Sequence, residues 1–345
     1  MKSNSWIKEL KSALKGKVKT DNGTLKEYSR DASLFDIRPQ AVVFPKDKND
    51  LKRLVKFVAE NKKRYPDLSI TIRSGGTDMT GGPLSESIVV DVSNCLKRLI
   101  KISKTKNGGY AIVEPGMFYR YFEKETLKKN LIMPSYPASK EICTVGGMVE
   151  NNAGGEKTLV YGQTENYVEE LKVILRDGNE YVVKSLTKLQ LKKKMAQRDI
   201  EGDLYRDIYK LVSDNASLLK KAKPNVSKNS SGYYLWNVWD GKKFDLNRII
   251  TGSQGTLGII TEIKFRLIKP KRHSTLLIIF LKDVSRLADI IERVLAHKPE
   301  SFESYDDYTL KIALRFFPNM LKTIGAKNLV ALGWAFRHEF WMALT

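Results

Sequence analysis

Three glycine-rich segments constrain this chain more than anything else in it: RSGGTDMTGG at 73–82, CTVGGMVENNAGG at 143–155 and GSQGTLG at 252–258. Glycine is needed where the backbone takes a positive φ or must approach another group closely, and successive N–H groups in such a turn form an anion-binding concavity. Phosphate is the expected guest, but the commonest phosphate loops do not fit. From Gly76 the spacing GTDMTG imitates the start of a P-loop, yet Gly82-Pro83 stands where Lys and Ser/Thr are required. The G-x-G-x-x-G fingerprint also fails, and Pro83 ahead of a β-branched run leaves no helix N-terminus behind the first loop. Taken singly, each segment is equally compatible with a tight turn between strands.

The flanking pattern places the loops on elements. AVVFP (41–45) reads as a short buried strand, and Leu51, Leu54, Val55 and Val58 recur at helical spacing behind an Asn49/Asp50 cap signal. SITIR, SIVVDVS and YAIVEPG are strands on either side of the first loop, followed by an amphipathic helix from about Phe118 to Lys129. VEELKVILRDGNEYVVKS (168–185) reads as a hairpin turning at Asp177-Gly178. Residues 202–225 read as one helix ended by Pro224, and the third loop feeds directly into the apolar strand IITEIKFRL. After Pro270 the character changes: TLLIIFL (275–281) is expected as a strand and about 283–297 as a helix. A domain boundary is therefore expected there, with 1–270 as one unit and 271–345 as the next.

Composition narrows the functions. The 345 residues are 42% hydrophobic and 29% charged, which is ordinary for a globular protein. No apolar stretch is long enough to cross a bilayer, and the N-terminus has no apolar signal core, so the expected location is cytoplasmic. Peripheral contact with a membrane stays open. Cys95 and Cys143 are the two cysteines, too few for a disulfide framework or a Cys-based metal site. The formal charge of +21 invites a nucleic-acid partner. Its lysines are dispersed, however, and runs such as LLKKAKPNVSK (218–228) look like solvated helix faces, so no specific nucleic acid is expected.

In order and in context, RSGGTDMTGG, TVGGMVENNAGG with its following YG, and GSQGTLGIITEI resemble the FAD-linked oxidase family. These are flavoproteins with the PCMH or vanillyl-alcohol-oxidase type of FAD-binding domain, including D-lactate and glycolate dehydrogenases. The resemblance covers about residues 25 to 310. It implies an α+β fold in which a PCMH-type FAD-binding domain of two α/β subdomains precedes the start of a ferredoxin-like α+β cap domain. It also implies that Ser74, Gly75, Gly76, Thr77, Asp78, Met79, Thr80 and Gly81 surround the FAD pyrophosphate. Pro137, Thr144, Gly147, Asn151 and Gly154 would line the flavin and ribityl chain, and Ile259, Ile260 and Thr261 would lie near the adenosine half. Some relatives bond FAD covalently through a His after the glycine pair of the first loop; Thr77 stands there, so non-covalent FAD is expected. Cys143, beside the second loop, is either a flavin neighbour or an inert core filler.

The family chemistry implied is oxidation of a D-2-hydroxy acid of the D-lactate or glycolate type, a small acidic substrate, with electrons passed to an unidentified acceptor. The cap is expected to carry the catalytic groups, and Glu303 and Asp306 in FESYDDY are the candidates, weighed against helix caps or solvated carboxylates. Arg73 and Arg266 are candidates for handling charge. No metal is expected, since His273, His297 and His338 share no ligand spacing. The cap of the family is longer than LGWAFRHEFWMALT allows, so the resemblance implies a C-terminal truncation. Two alternatives stay open: a non-catalytic or split FAD-binding subunit completed by a partner, and an enzyme like UDP-N-acetylenolpyruvylglucosamine reductase.

Overall fold

The computed structural model describes residues 5–226 and 228–324. His338 and the closing stretch 332–345 lie outside the described residues. The chain divides after Ser301 into two units.

The first unit opens with α1 (Ser5–Ala13), β1 (Lys17–Lys19) and α2 (Asn22–Glu27), and AVVF forms β2 (Ala41–Phe44). The stripe at 51–58 forms α3 (Lys48–Asn61), which buries Leu51, Leu54 and Phe57. Its cap lies earlier than expected: the Asp47 carboxylate accepts the N–H groups of Asn49 and Asp50. Asp50 is instead fully buried and accepts the N–H groups of Lys15 and Lys46 at 2.9 and 2.8 Å. Burial works against its charge, but these bonds and the Arg53 guanidinium outweigh it and hold the carboxyl below its usual range.

After α3 come β3 (Ile70–Arg73) and β4 (Ile88–Asp91), in a sheet ordered β1-β2-β4-β3. β4 runs parallel to both β2 and β3. Ile88, Val89 and Val90 are all fully buried, as a central strand covered on both faces requires. The parallel pairing of β3 with β4 settles one question about the first loop. Parallel neighbours cannot be joined by a tight turn, so residues 74–87 must leave the carboxyl end of β3 and travel back along the sheet. That end of an open parallel sheet is where ligands bind.

The second sheet is antiparallel throughout, in the order β5-β6-β11-β7-β8. Its strands are β5 (Leu99–Thr105), β6 (Gly108–Val113), β7 (Val168–Ile174), β8 (Glu180–Lys184) and β11 (Ile259–Leu267), with a separate small pair of β9 (Leu186–Thr187) and β10 (Lys243–Phe244). The hairpin turns at Asp177-Gly178, where Gly178 has φ 74°. Central β11 buries Ile263, Phe265 and Leu267, and Phe265 meets Phe122 of α4 (Tyr119–Leu127) with ring centroids 5.9 Å apart. Truncating Phe265 to Ala would cost about 3–5 kcal/mol. α5 (Val145–Glu150) holds the second glycine segment. The predicted helix at 202–225 is two helices, Ile200–Asp214 and Ala216–Ala222, interrupted at Asn215.

The expected strand at 275–281 does not form. The run has no regular structure, and Leu276, Leu277 and Phe280 are 77%, 77% and 82% exposed. A strand exists only through the ladder it joins, and no neighbour among the described residues supplies one here. The helix that follows is Leu287–Ala296. In the second unit, a helix spans Asp307–Ile324.

Candidate functional site

The three glycine segments meet, and their glycines record how closely. A Cβ on Gly75 of the first loop would lie 2.6 Å from the carbonyl oxygen of Ile142, just before the second. One on Gly147 would lie 3.1 Å from Ser74 Oγ. Gly82 would meet Gln254 Oε1 of the third loop at 2.8 Å, and Gly252 would meet Asn152 Cβ at 3.2 Å. At Gly75 the neighbour is backbone, so a side chain there would push the first and second segments apart; at the other three positions the neighbour is a side chain.

Between the loops lies a cavity of about 520 Å³, within the range of small-molecule and cofactor sites. Ser74, Gly76, Thr77, Asp78, Met79 and Thr80 line it from the first loop. Pro137, Thr144, Gly147 and Asn151 line it from the second, and Ile259 and Ile260 from the start of β11. Four residues of the expected set do not line it. Gly75 and Gly81 pack against Ile142 and Phe35, and a Cβ on Gly154 would meet Thr158 Oγ1 at 2.5 Å. Thr261 sits at a register shift of β11 between Ile260 and Glu262, is buried, and donates its hydroxyl to Glu180 Oε1 at 2.7 Å.

Local bonds shape the first loop. Asp78 Oδ2 accepts the Thr80 hydroxyl and the Gly82 N–H, each at 2.7 Å, so its charge is directed into its own loop. Beneath the loop, the Arg73 guanidinium stacks over the Tyr28 ring at 5.1 Å, and Tyr28 donates to Asp91 Oδ2 at 2.5 Å. A Cβ on Gly76, whose φ is 64°, would meet Arg73 Nη2 at 2.5 Å. Arg73 Nη1 is buried without a hydrogen-bond partner among the described residues. The loop itself, which brings Gly76 and the Ser74, Thr77 and Thr80 hydroxyls into the cavity wall, fits a pyrophosphate-bearing cofactor, while Arg73 lies behind the loop and outside the lining. Arg266 lies elsewhere: its guanidinium stacks on Tyr167 at 4.9 Å and donates to the Asn166 carbonyl.

The second and third loops are joined by the end of α5. Gly252 and Gln254 donate their N–H groups to the Val149 and Glu150 carbonyls, each at 2.9 Å. Gln254 Nε2 donates to Asn151 Oδ1 at 3.0 Å. The Ser253 hydroxyl and the Gly255 N–H both donate to Glu150 Oε2, at 2.7 and 2.8 Å. Cys143 is buried in the cavity wall, and burial pushes its thiol up to about 12, so it stays protonated at neutral pH.

Sequence reasoning missed Glu150, Lys228, Ser230 and Gln254, all of which line the cavity. Lys228 is the sole cation among the described lining residues. Its segment is tethered by Gln163, whose Oε1 accepts the Asn229 N–H at 2.7 Å and whose Nε2 donates to Ser230 Oγ at 3.2 Å. The available signal was the turn-forming cluster KNSSG at 228–232, which ends a helical region without starting a strand. In the second unit, Glu303 and Asp306 are exposed. Asp306 accepts the Thr309 N–H at 2.7 Å as the cap of its helix, and bonds to Thr309 hold its carboxyl below the usual range. A carboxylate so stabilised is a poor proton acceptor at neutral pH.

Comparison with known proteins bears on this geometry. Residues 39–184 match the family described as FAD binding domain. The chain is 26% identical to D-2-hydroxyglutarate dehydrogenase of Pseudomonas putida over 88% of its own length and 30% of that protein's. It is 27% identical to glycolate oxidase subunit GlcD of Bacillus subtilis over 83% of its own length and 49% of that subunit's. The chain thus spans less than half the length of these curated relatives. Among solved structures, an alkyldihydroxyacetonephosphate synthase superposes with a TM-score of 0.53 at 17% identity, covering 79% of this chain and 43% of that one.

Proposed function

Since the chain belongs to the FAD-linked oxidase family, with FAD as its cofactor, we propose that it is the flavin-holding part of an enzyme that oxidises a D-2-hydroxy acid. The observation that carries this reading is the meeting of three glycine loops around one cavity. Bound FAD supplies the two-electron acceptor. The first loop would hold the pyrophosphate; the second loop, α5 and the start of β11 would enclose the rest. Ile259, Ile260, Pro137 and Ala138 contribute apolar walls that exclude water. Lys228 supplies positive charge for a substrate carboxylate, and Ser230 beside it a hydroxyl donor. The relatives named for D-2-hydroxyglutarate and glycolate support a 2-hydroxy acid as the substrate class.

The test is an absorbance spectrum of the purified protein before and after acid precipitation, then anaerobic addition of D-lactate, glycolate or D-2-hydroxyglutarate. Yellow colour released by acid and bleached by one of the three acids is expected. Lys228→Met should raise KM for that acid by about tenfold or more with little change in flavin content, the effect of one lost charge-assisted contact. A colourless protein that FAD cannot reconstitute would overturn the reading.

A second reading rests on the exposed run 276–281: the chain holds flavin, and further polypeptide completes the substrate side. It predicts colour without bleaching by any of the three acids.

A further inference from the structure

Glu150 ends α5 with its side chain split between two tasks. Both donors from the third loop, Ser253 Oγ–H and Gly255 N–H, fall on the same oxygen, Oε2. Two donors occupy the lone pairs of one carboxyl oxygen, so Oε2 is saturated. Among the described residues nothing reaches Oε1, and the residue lines the cavity. The carboxyl therefore grips the third loop with one oxygen and leaves the other for whatever fills the cavity.

The protonation state of that second oxygen follows from its surroundings. Burial pushes the carboxyl up to about 7, against the opposing bonds from Ser253 and Gly255. No charged side chain contributes to that balance. Other titratable or charged groups around the cavity are Asp78 of the first loop, Cys143 before α5 and Lys228 of the 228–234 segment. Tyr233 of that segment reaches the third loop through Thr256 Oγ1 at 2.7 Å. Asp78 is engaged by its own loop, Cys143 stays neutral, and Lys228 is exposed to solvent. A neutral Glu150 keeps Oε2 as the acceptor for the loop and turns Oε1–H into a donor. An ionised Glu150 places a negative charge in the wall of a site that must also take phosphates.

We propose that Glu150 contacts bound FAD as a neutral acid, holding the third loop through Oε2 and donating a hydrogen bond from Oε1–H to an acceptor atom of the cofactor. This rests on the FAD reading above and adds to it a cofactor-contacting residue and a direction of pH dependence.

The test is FAD affinity of the flavin-stripped full chain, followed by flavin fluorescence from pH 5.5 to 9, for wild type and Glu150→Gln. Wild-type affinity should be level below pH 7 and then weaken towards about tenfold per pH unit, on the order of a hundredfold by pH 9. Glu150→Gln keeps a carbonyl for the loop and an N–H donor at every pH, so its affinity should stay flat and match wild type near pH 6 within about threefold. Flat wild-type affinity, or a variant that weakens in parallel with it, would overturn the assignment while leaving the FAD site intact. Failure to bind FAD at any pH would overturn both together.

Discussion

The glycine loops and the run TLLIIFL at 275–281 carry equally strong sequence signals, and they end differently. The loops interlock: Gly75 abuts Ile142, Gly82 abuts Gln254, and α5 is tied to the third loop by five hydrogen bonds. The apolar run forms no strand and leaves Phe280 82% exposed. The difference is whether the partner is present. Each loop finds the others within the same sheet framework, whereas a strand needs a neighbouring ladder that the described residues do not provide.

The sharpest way to break this contrast is to force the loops apart. Gly75 has no unusual φ; only its approach to the Ile142 carbonyl at 2.6 Å demands glycine. Gly75→Val should introduce about 3 kcal/mol of overpacking and lower FAD affinity on the order of a hundredfold. Flavin titration of the refolded variant checks it, with far-ultraviolet circular dichroism to show that the sheets persist. Unchanged affinity would mean that the loops do not depend on one another.

Next in size is the Glu150 latch, read through stability without flavin. Its folded carboxyl sits at about 7 against an ordinary 4.5. A raised value means that Glu150 favours folding fully below about pH 4.5 and loses that contribution as pH rises through 7. Glu150→Gln does not titrate, so relative to wild type it should gain up to about 2–3 kcal/mol between pH 5 and pH 8. Denaturant melts of the stripped protein at the two pH values measure the difference. An equal offset at both would show that the carboxyl is not held neutral by burial.

Much of this was legible because the relevant physics is local. Glycine spacing located the loops, β-branched runs located β2, β4 and β11, and Asp177-Gly178 located the hairpin. What stayed hidden depends on distant partners. Glu150 looks like one more polar residue in MVENNAGG until Ser253 and Gly255 arrive from a hundred residues away. Lys228 looks like the tail of a basic helix until Gln163 folds its segment over the cavity. Thr261 follows two cavity residues in sequence, but it falls at a register shift in β11 and bonds to Glu180 instead.

Within the first loop, the Asp78 turn is a smaller test of the same idea. Asp78→Ala removes the acceptor for the Thr80 hydroxyl and Gly82 N–H. The loss should be about 1 kcal/mol, a roughly fivefold weaker FAD affinity, with no change in thermal midpoint of the stripped protein. A large fall in that midpoint would make the turn part of the folding core, not a local shaping device.

The smallest expected effect belongs to the apolar run. Leu276, Leu277 and Phe280 are at least three-quarters exposed, so replacing all three with Ser removes no buried area from this chain. The triple variant should keep its unfolding free energy within about 0.5 kcal/mol and its FAD affinity unchanged, while binding less of a hydrophobic dye and self-associating less. A loss of more than about 2 kcal/mol would show that these side chains are covered in solution. The run would then be packed against a partner outside the described residues, and the contrast with the glycine loops would become one between partners within that set and partners beyond it.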